Sequence, residues 1–358
     1  MKIRPKSSII RHIPVIHGGK DHLIKPDVID FSSNITPIGV PKSVKTILKK
    51  NLDNIQRYPD YNSSKVISSL TKYIKLDKRY LLVGNGAIEI IYNFCFAFLS
   101  KNTKVLIPVP TFQEYELAAK LNNCKVSYFT TMNLSENLDQ FLSKIPKQGC
   151  VFLCNPNNPT GKLLSKNQIL VIIKTAKNLS SIVFIDECFI EMVPDSNQST
   201  ISYVKKYDNV FVLRSLTKSF GLAGIRIGYA ASSKQMIEIL QKIKIPWSVN
   251  SLAQDAASIA LKNKSHIKKS NYVIKKELNY LMNAISQLNG FNCYDSTTNF
   301  ILIKTKHNST KLQQKLLKHK ILIRDCKNFR GLDNHHIRIA VKSHKDNLKL
   351  VRALEKIK

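Results

Sequence analysis

The run Ser215-Leu-Thr-Lys-Ser-Phe-Gly-Leu-Ala-Gly-Ile-Arg226 places a hydroxyl three residues before a lysine and an arginine eight residues after it. Lys218 can attack a carbonyl compound if its surroundings lower the pKa of its amine. Ser215 and Arg226 can hold a phosphate at a fixed distance from that amine, the arginine through two hydrogen bonds. Taken alone, the run also fits a basic loop before a strand, so the rest of the chain decides its interpretation.

The segments around this run alternate short β-branched stretches with amphipathic helical patterns. Such alternation predicts an α/β fold in which crossover helices connect the strands of a parallel sheet. The predicted strands are 104–107, 125–129, 151–154, 182–185, 209–213 and 225–230, and the predicted helices between them are 114–121, 166–177 and 234–242. Polar motifs follow several of these strands, at the sheet edge where open α/β sheets bind ligands.

The pattern changes after about residue 245, where lysine-rich helices precede two further strands at 299–304 and 337–341. We therefore predict a large domain at 46–250 and a smaller α/β domain made of 1–45 and 251–358. A chain of 358 residues is long enough for both.

Two motifs follow predicted strands of the large domain. Asp186 ends an apolar strand, and a buried carboxylate needs a cation or a strong donor, for which a protonated pyridine nitrogen would serve. The heptapeptide Asn155-Pro-Asn-Asn-Pro-Thr-Gly161 follows another strand. An ordinary loop-capping aspartate and a Pro/Asn/Gly turn are the simpler interpretations of each motif in isolation.

Two further motifs concern a phosphate and an aromatic ring. Gly84-Asn-Gly-Ala-Ile-Glu89 leads into a helix, whose free amides can bind a phosphate. A dinucleotide site is disfavoured because Glu89 stands where its third glycine would be. Phe112, in Pro110-Thr-Phe-Gln-Glu-Tyr115, can stack on a ring or belong to the core.

Composition excludes several classes of protein. The seven cysteines are scattered, and only Cys150 and Cys154 approach a pair, so we expect no metal site and reduced, cytoplasmic thiols. The N-terminus leads into no apolar segment of signal length, and the most apolar run, 88–99, is too short to span a membrane. It predicts a buried helix.

The net charge of +32 raises the possibility of nucleic-acid binding. The lysines are spread along the whole chain, without an arginine-rich arm or interleaved aromatic residues. We therefore favour a lysine-rich surface over a nucleic-acid site. The same charge would attract a doubly anionic substrate.

Together, these motifs resemble those of fold-type I pyridoxal-phosphate (PLP) enzymes, the aminotransferase superfamily. The resemblance implies an α/β fold, with a large, mostly parallel-sheet domain that binds PLP and a smaller α/β domain. It makes Lys218 the catalytic lysine, Asp186 the partner of the pyridine nitrogen and Asn158 the donor to the phenolic oxygen. It places Phe112 on the ring and assigns the phosphate to Gly86, Ala87, Ile88, Ser215 and Arg226. Ile88 stands where the family commonly has a hydroxyl.

Other segments resemble the threonine-phosphate decarboxylase branch of this superfamily. They are His17-Gly-Gly-Lys20, Asp30-Phe-Ser-Ser-Asn-Ile-Thr-Pro37, Trp247 to Gln254, Ile323 to Leu332 and Ile337 to Val341. The resemblance implies a substrate site of His17, Gly18, Asn34, Asn158, Arg324 and Arg338, with the two arginines as anion anchors. Phe189 supports this branch, because histidinol-phosphate aminotransferases usually carry a tyrosine there.

The chain departs from the branch at two places. Lys20 replaces an asparagine, and the run from Tyr58 to Ser64 is altered near the tyrosine that often reaches a neighbouring subunit's cofactor phosphate. Tyr61 or Ser63 would fill that role in the expected homodimer.

The resemblance predicts decarboxylation of L-threonine O-3-phosphate to (R)-1-aminopropan-2-yl phosphate, the linker precursor of cobalamin. The alternatives are histidinol-phosphate aminotransferase and, in another class, a basic nucleic-acid-binding protein on an inactive enzyme fold.

Overall fold

We describe a computed structural model that covers residues 7–10, 13–15, 18–19, 25–195 and 197–357. Its helices are α1 (Ser7–Ile10), α2 (Lys42–Lys50), α3 (Ser64–Ile74), α4 (Gly86–Phe98), α5 (Glu114–Leu121), α6 (Leu138–Leu142), α7 (Lys166–Asn178), α8 (Leu216–Ser219), α9 (Lys234–Ile243), α10 (Ser251–Ala260), α11 (Lys264–Ser286), α12 (Ser309–Lys318) and α13 (His344–Glu355). Short 3₁₀ turns occur at Leu52–Gln56, Lys78–Tyr80, Leu134–Asn137, Ile190–Met192 and Ile201–Lys205.

The strands form one large sheet and two smaller ones. They are β1 (Ile29–Asp30), β2 (Leu81–Gly84), β3 (Lys104–Val109), β4 (Lys125–Thr130), β5 (Cys150–Cys154), β6 (Ile182–Asp186), β7 (Val210–Ser215), β8 (Gly228–Ser232), β9 (Phe291–Cys293), β10 (Phe300–Thr305), β11 (Ile321–Leu322), β12 (Arg324–Asp325) and β13 (His336–Ala340).

The large sheet has seven strands in the order β2-β8-β7-β6-β5-β3-β4. Strands β3 to β7 are mutually parallel, whereas β8 is antiparallel to both of its neighbours. The mostly parallel α/β sheet predicted from the sequence is confirmed, but β2 was not predicted and the strand expected at 225–230 begins only at Gly228.

The reversed direction of β8 has a local cause and a consequence for the site. The twelve residues 216–227 connect β7 to β8 and contain only the four-residue α8, whereas a parallel connection usually needs a full crossover helix. Because β8 runs backwards, Arg226 lies just before its first residue, at the edge where the parallel strands end. Ser215 and Asp186, the last residues of β7 and β6, lie at that same edge.

Both faces of the large sheet are buried, as the apolar strands predict. Alternate residues of each strand enter different apolar clusters: Val183 and Ile185 pack on one face, and Phe184 packs on the other. Helix α7 covers the first face, while α4 and α5 cover the second. The buried helix expected at 88–99 is present as α4.

A four-stranded antiparallel sheet, in the order β12-β13-β10-β9, packs its core against α11 and α13. Phe31, which follows β1, belongs to this second core because β1 pairs with β11. Alanines of α10 instead pack in the core of the large sheet. The division into 46–250 and 1–45 plus 251–358 stays a prediction. No helix within the described ranges is long and apolar enough to cross a membrane.

Candidate active site

A cavity of about 330 Å³ opens at the carboxyl edge of the large sheet. It brings together twelve of the residues predicted from the sequence: Gly18, Asn34, Ala87, Ile88, Phe112, Asn158, Asp186, Ser215, Lys218, Arg226, Arg324 and Arg338. Gly86 lies against it, since a Cβ built there would come within 2.5 Å of Nη2 of Arg226. His17 lies outside the described residues.

Lys218 sits on α8, the short helix that begins directly after β7. The hydroxyl of Ser215 caps this helix by accepting a hydrogen bond of 3.1 Å from the Thr217 amide. Burial, together with the positive charges of Arg338 and Arg226, lowers the pKa of Lys218 to about 8. Roughly one amine in ten is therefore uncharged at pH 7, and this form can act as a nucleophile.

The start of α4 and Arg226 come together in the cavity wall, where they could hold a phosphate. Helix α4 points its N-terminus there, behind a turn in which Gly86 has φ +79°. Gly228 allows β8 to approach this turn, because a Cβ there would lie 2.8 Å from the Ala87 amide nitrogen. Arg226 has φ +62°, a strained conformation for a residue with a side chain, and its Nη1 donates to the Ala223 carbonyl at 3.0 Å.

Asp186, the last residue of β6, lines the same cavity. Its carboxylate is 5% exposed and accepts hydrogen bonds from the Tyr115 hydroxyl at 2.6 Å and from the Cys188 amide at 2.9 Å. Burial nevertheless raises the pKa of Asp186. These two donors, and the Cys188 thiol that also hydrogen-bonds to Asp186, are neutral, so a cation placed in the cavity would offset the burial of this carboxylate.

The loop of Asn155 to Gly161 is fixed to the segment that carries Phe112. The side chain of Asn157 donates to the Pro110 carbonyl at 2.9 Å and accepts from the Thr111 hydroxyl at 2.7 Å. This bridge sets the position of Asn158 relative to Phe112. The motif is therefore more than an isolated turn.

Arg338 and Arg324 face each other directly across β13 and β12. Arg338 is 6% exposed and donates to Oδ1 of Asn158 and to the Ser32 carbonyl, the latter at 2.8 Å. Its Nε has no hydrogen-bond partner among the described residues. Burial, with Arg324 adding to the effect, lowers the pKa of Arg338 to about 10.

Arg324 is held by a loop that reaches across to the large sheet. It donates to Oδ1 of Asn328 at 2.9 Å, and Asn328 in turn donates to Gln113 at 3.2 Å. Arg330 of the same loop binds Glu116 at 2.8 Å. These contacts hold Arg324 in the wall of the cavity.

The sequence profile of the family described as aminotransferase class I and II matches residues 26–357. A provisionally named threonine-phosphate decarboxylase of Caldanaerobacter subterraneus subsp. tengcongensis is 37% identical over 349 residues, covering 95% of this chain and 93% of that protein. The chain belongs to the aminotransferase class I and II family.

Two solved structures of similar proteins point to different reactions. The histidinol-phosphate aminotransferase from Clostridium acetobutylicum shares 34% identity at a TM-score of 0.84, covering 91% of this chain and 97% of that one. The L-threonine-O-3-phosphate decarboxylase from Porphyromonas gingivalis shares 27% identity at a TM-score of 0.83, covering 91% and 98%. The predicted fold-type I architecture is confirmed, and the protein is a PLP-dependent enzyme of this family.

The cavity fits this cofactor. The glycine-lined turn at α4 and Arg226 would hold the phosphate. Asp186 would bind the protonated ring nitrogen, which would give this buried carboxylate a cationic partner. Phe112 would lie on the ring, and Lys218 would carry the aldehyde carbon. Ile88 lines the cavity with an apolar side chain. The roles of the individual residues stay predictions.

Sequence analysis of this family member missed several residues of the cavity wall. Tyr115 joins Asp186 to Phe112, since its ring meets that of Phe112 edge-on at 5.5 Å. Cys154 and Cys188 also line the cavity. The helical spacing of apolar residues around Tyr115 predicts an ordinary core residue. Its polar role becomes visible only in the three-dimensional contact with Asp186.

A buried ion pair lies directly beneath the site, on the opposite face of the sheet. Arg214 precedes Ser215, Glu187 follows Asp186, and Nη2 of the arginine is 2.9 Å from Oε2 of the glutamate. The pair ties the ends of β6 and β7 together, so that the two cavity residues keep a fixed separation. Sequence analysis did not identify it.

The two candidates for a cross-subunit role differ in accessibility. Ser63 is fully buried at the start of α3, so the suggestion that its hydroxyl reaches a neighbouring subunit is wrong. Tyr61 is exposed, with the Lys244 amine 6.0 Å from its ring centre. Tyr61 therefore stays the candidate.

Proposed function

We propose that this enzyme decarboxylates L-threonine O-3-phosphate to (R)-1-aminopropan-2-yl phosphate. The observation that carries the proposal is the pair of buried arginines, Arg324 and Arg338, on facing positions of β12 and β13. Like charges directly opposite in a sheet are destabilising. A substrate with two anionic groups, a carboxylate and a phosphate, would offset that cost.

The size and lining of the cavity support a small substrate. Pockets for small molecules usually span about 300–1,000 Å³, and this one, at about 330 Å³, must hold cofactor and substrate together. Phe189 adds a buried apolar wall, packed edge-on against Phe300 at 5.0 Å. This wall offers no hydrogen-bond donor, whereas the imidazole of histidinol phosphate has two nitrogens to satisfy.

Arg338 would select the bond that breaks. Its guanidinium is held by Asn158 and the Ser32 carbonyl, so it can grip the substrate carboxylate in only one direction. Bound PLP supplies an electron-poor ring that accepts the electron pair of a bond held perpendicular to it. If Arg338 turns the carboxylate out of the ring plane, the bond to carbon dioxide breaks in preference to the α C–H bond.

Lys218 would then complete the reaction. Its amine lies in the cavity with a pKa of about 8, so it can both carry and release a proton near neutral pH. We assign it the proton that replaces carbon dioxide on the α-carbon. Arg324, which faces Arg338 from β12, would hold the substrate phosphate. The product would be the aminopropanol linker precursor of cobalamin.

The competing function is histidinol-phosphate amino transfer, which the similarity to the Clostridium acetobutylicum aminotransferase favours. The purified enzyme decides between them. It is incubated with L-threonine O-3-phosphate or L-serine O-phosphate without 2-oxoglutarate, and with histidinol phosphate plus 2-oxoglutarate, and products are identified by mass spectrometry. We expect loss of carbon dioxide from threonine phosphate without a keto acid. Turnover of histidinol phosphate alone would overturn the proposal.

We also propose that the enzyme is a homodimer. Leu52, Ile55, Tyr58, Ile245 and Trp247 are exposed apolar side chains, and two of them, Tyr58 and Trp247, form an aromatic pair on the surface. Tyr58 is 82% and Trp247 is 50% exposed, and their rings lie 4.9 Å apart. Contiguous exposed aromatic surface of this kind is typical of protein interfaces.

A further inference from the structure

Tyr115 is a buried tyrosine that the reaction described above does not use. Its ring stacks on Phe152 at 5.3 Å with an interplanar angle of 13°, and its hydroxyl reaches Oδ2 of Asp186 at 2.6 Å. Burial, and next the Asp186 carboxylate, hold the pKa of Tyr115 well above its usual range. The phenol is therefore protonated and donates the hydrogen bond.

Asp186 can hold a protonated ring nitrogen only as an anion aimed into the cavity. Its Oδ1 is taken by the Cys188 amide at 2.9 Å, and its Oδ2 is oriented by Tyr115. The same tyrosine ring touches Phe112, the residue predicted to lie on the cofactor ring. The side chain of Tyr115 thus contacts both Asp186, the partner of the ring nitrogen, and Phe112, the residue predicted to stack on the ring.

We propose that Tyr115 is a positioning residue that keeps Asp186 ionised and aimed at the ring nitrogen of the cofactor. It does not touch the reacting atoms. Its effect concerns cofactor binding and is independent of which substrate the enzyme takes. Failure of the proposed decarboxylation would leave it intact.

Several titratable groups face Asp186, and a pH experiment on this carboxylate must take each of them into account. Tyr115 comes from α5, Cys154 from β5, and Cys188 and Glu187 from the segment after β6. Burial raises the pKa of both thiols, so they stay neutral around neutral pH, and Lys218 contributes positive charge from across the cavity. Within this set, the Cys188 thiol and the Tyr115 hydroxyl both hydrogen-bond to the carboxylate and lower the pKa of Asp186, and Tyr115 is the hydroxyl donor.

The direction of the pH dependence follows from the requirement for an anion. Burial raises the pKa of Asp186. Cofactor affinity should be full above that pKa and should fall as the pH falls through it, because the carboxylate must lose a proton to bind the ring nitrogen. Removing the Tyr115 hydroxyl destabilises the anion, so the fall should begin at higher pH.

The test compares Tyr115→Phe with wild type in the full-length holoenzyme. Cofactor dissociation constants are measured by equilibrium dialysis across acid to neutral pH, and thermal unfolding confirms that the variant is folded. A hydrogen bond to a charged group is worth about 1.5–3 kcal/mol, so the midpoint should rise by about one to two pH units. Tyr92→Phe is the matched control, because Tyr92 donates to the Glu114 carboxylate at 2.7 Å outside the cavity.

Three further results separate positioning from packing. In an Asp186→Asn background, Tyr115→Phe should cause no additional shift. For a cofactor analogue with carbon in place of the ring nitrogen, the dissociation constant should depend on pH in the same way in wild type and variant. If Tyr115→Phe does not fold, 3-fluorotyrosine at position 115, a more acidic phenol, should move the midpoint to lower pH. An unshifted midpoint, an equal shift in Tyr92→Phe, or a shift that survives Asp186→Asn would overturn the proposal.

Discussion

Replacing each cavity arginine by alanine should separate the two anionic groups of the substrate. Arg338 lies in a regular strand and is fixed by two protein contacts, as a carboxylate clamp requires. Arg324 faces Arg338 from the short strand β12 and donates to the Asn328 side chain, and we assign it the substrate phosphate. We therefore predict that Arg324→Ala weakens the binding of L-threonine O-3-phosphate far more than the binding of threonine. Arg338→Ala should weaken the binding of both amino acids. It should leave the binding of 1-aminopropan-2-yl phosphate unchanged, because that ligand has no carboxylate.

The expected size of these effects follows from burial and from the donors that remain. Of the five N–H groups of Arg338, two are used by Asn158 and Ser32, which leaves three, including the unpartnered Nε, for a carboxylate. Truncating one partner of a buried, hydrogen-bonded charge pair costs about 2–5 kcal/mol. The corresponding dissociation constant should rise by a factor of roughly 30 to several thousand.

Dissociation constants for the three ligands are measured by calorimetry on the loaded enzyme. Arg352→Ala, which removes an exposed arginine on α13, controls for the loss of one positive charge from the molecule. The reverse pattern of ligand preferences would exchange the two assignments. Unchanged constants in both variants would remove both arginines from the substrate site and refute the reasoning.

Three other predictions concern the lysine and the dimer. Lys218→Ala should abolish turnover and the absorbance band of the bound cofactor, while near-wild-type turnover would show that the catalytic assignment is wrong. The rate at which cofactor-depleted enzyme captures PLP should rise with pH and level off above about 8, because only the uncharged Lys218 amine reacts; a flat profile would contradict the lowered pKa. Light scattering should give a dimer mass that Trp247→Lys reduces, whereas a fully active wild-type monomer would exclude any role for Tyr61 in a partner's site.

The sequence predicted the parts of the fold that depend on local pattern. Strand β6 was placed correctly because every residue before Asp186 is apolar and both sheet faces are buried. The direction of β8 was not predictable from its own residues, since it depends on the connection to β7, which contains no full crossover helix. Likewise, β2 is only four residues long and carries too short a pattern to distinguish a strand from a buried helix.

In the candidate site, too, residues in local motifs could be predicted, whereas residues defined by long-range contacts could not. Lys218, Asp186 and Asn158 could be found because each stands in a motif of fixed spacing after a strand. Tyr115 could not, because its partner is 71 residues away and the contact exists only in three dimensions. Ser63 was misjudged for a related reason: a serine in a polar loop gives no indication that the helix start buries it.

The cavity wall carries an excess of positive charge. Among the described residues that line it, Lys218, Arg226, Arg324 and Arg338 stand against a single carboxylate, Asp186. Anions that bind the folded enzyme but not the unfolded chain stabilise it in proportion to the logarithm of their concentration. The cofactor-depleted enzyme should therefore gain heat resistance from inorganic phosphate, and that phosphate should compete with returning cofactor. Two samples of identical sequence, one kept in phosphate and one in an uncharged buffer, would then differ both in melting temperature and in how fast activity returns.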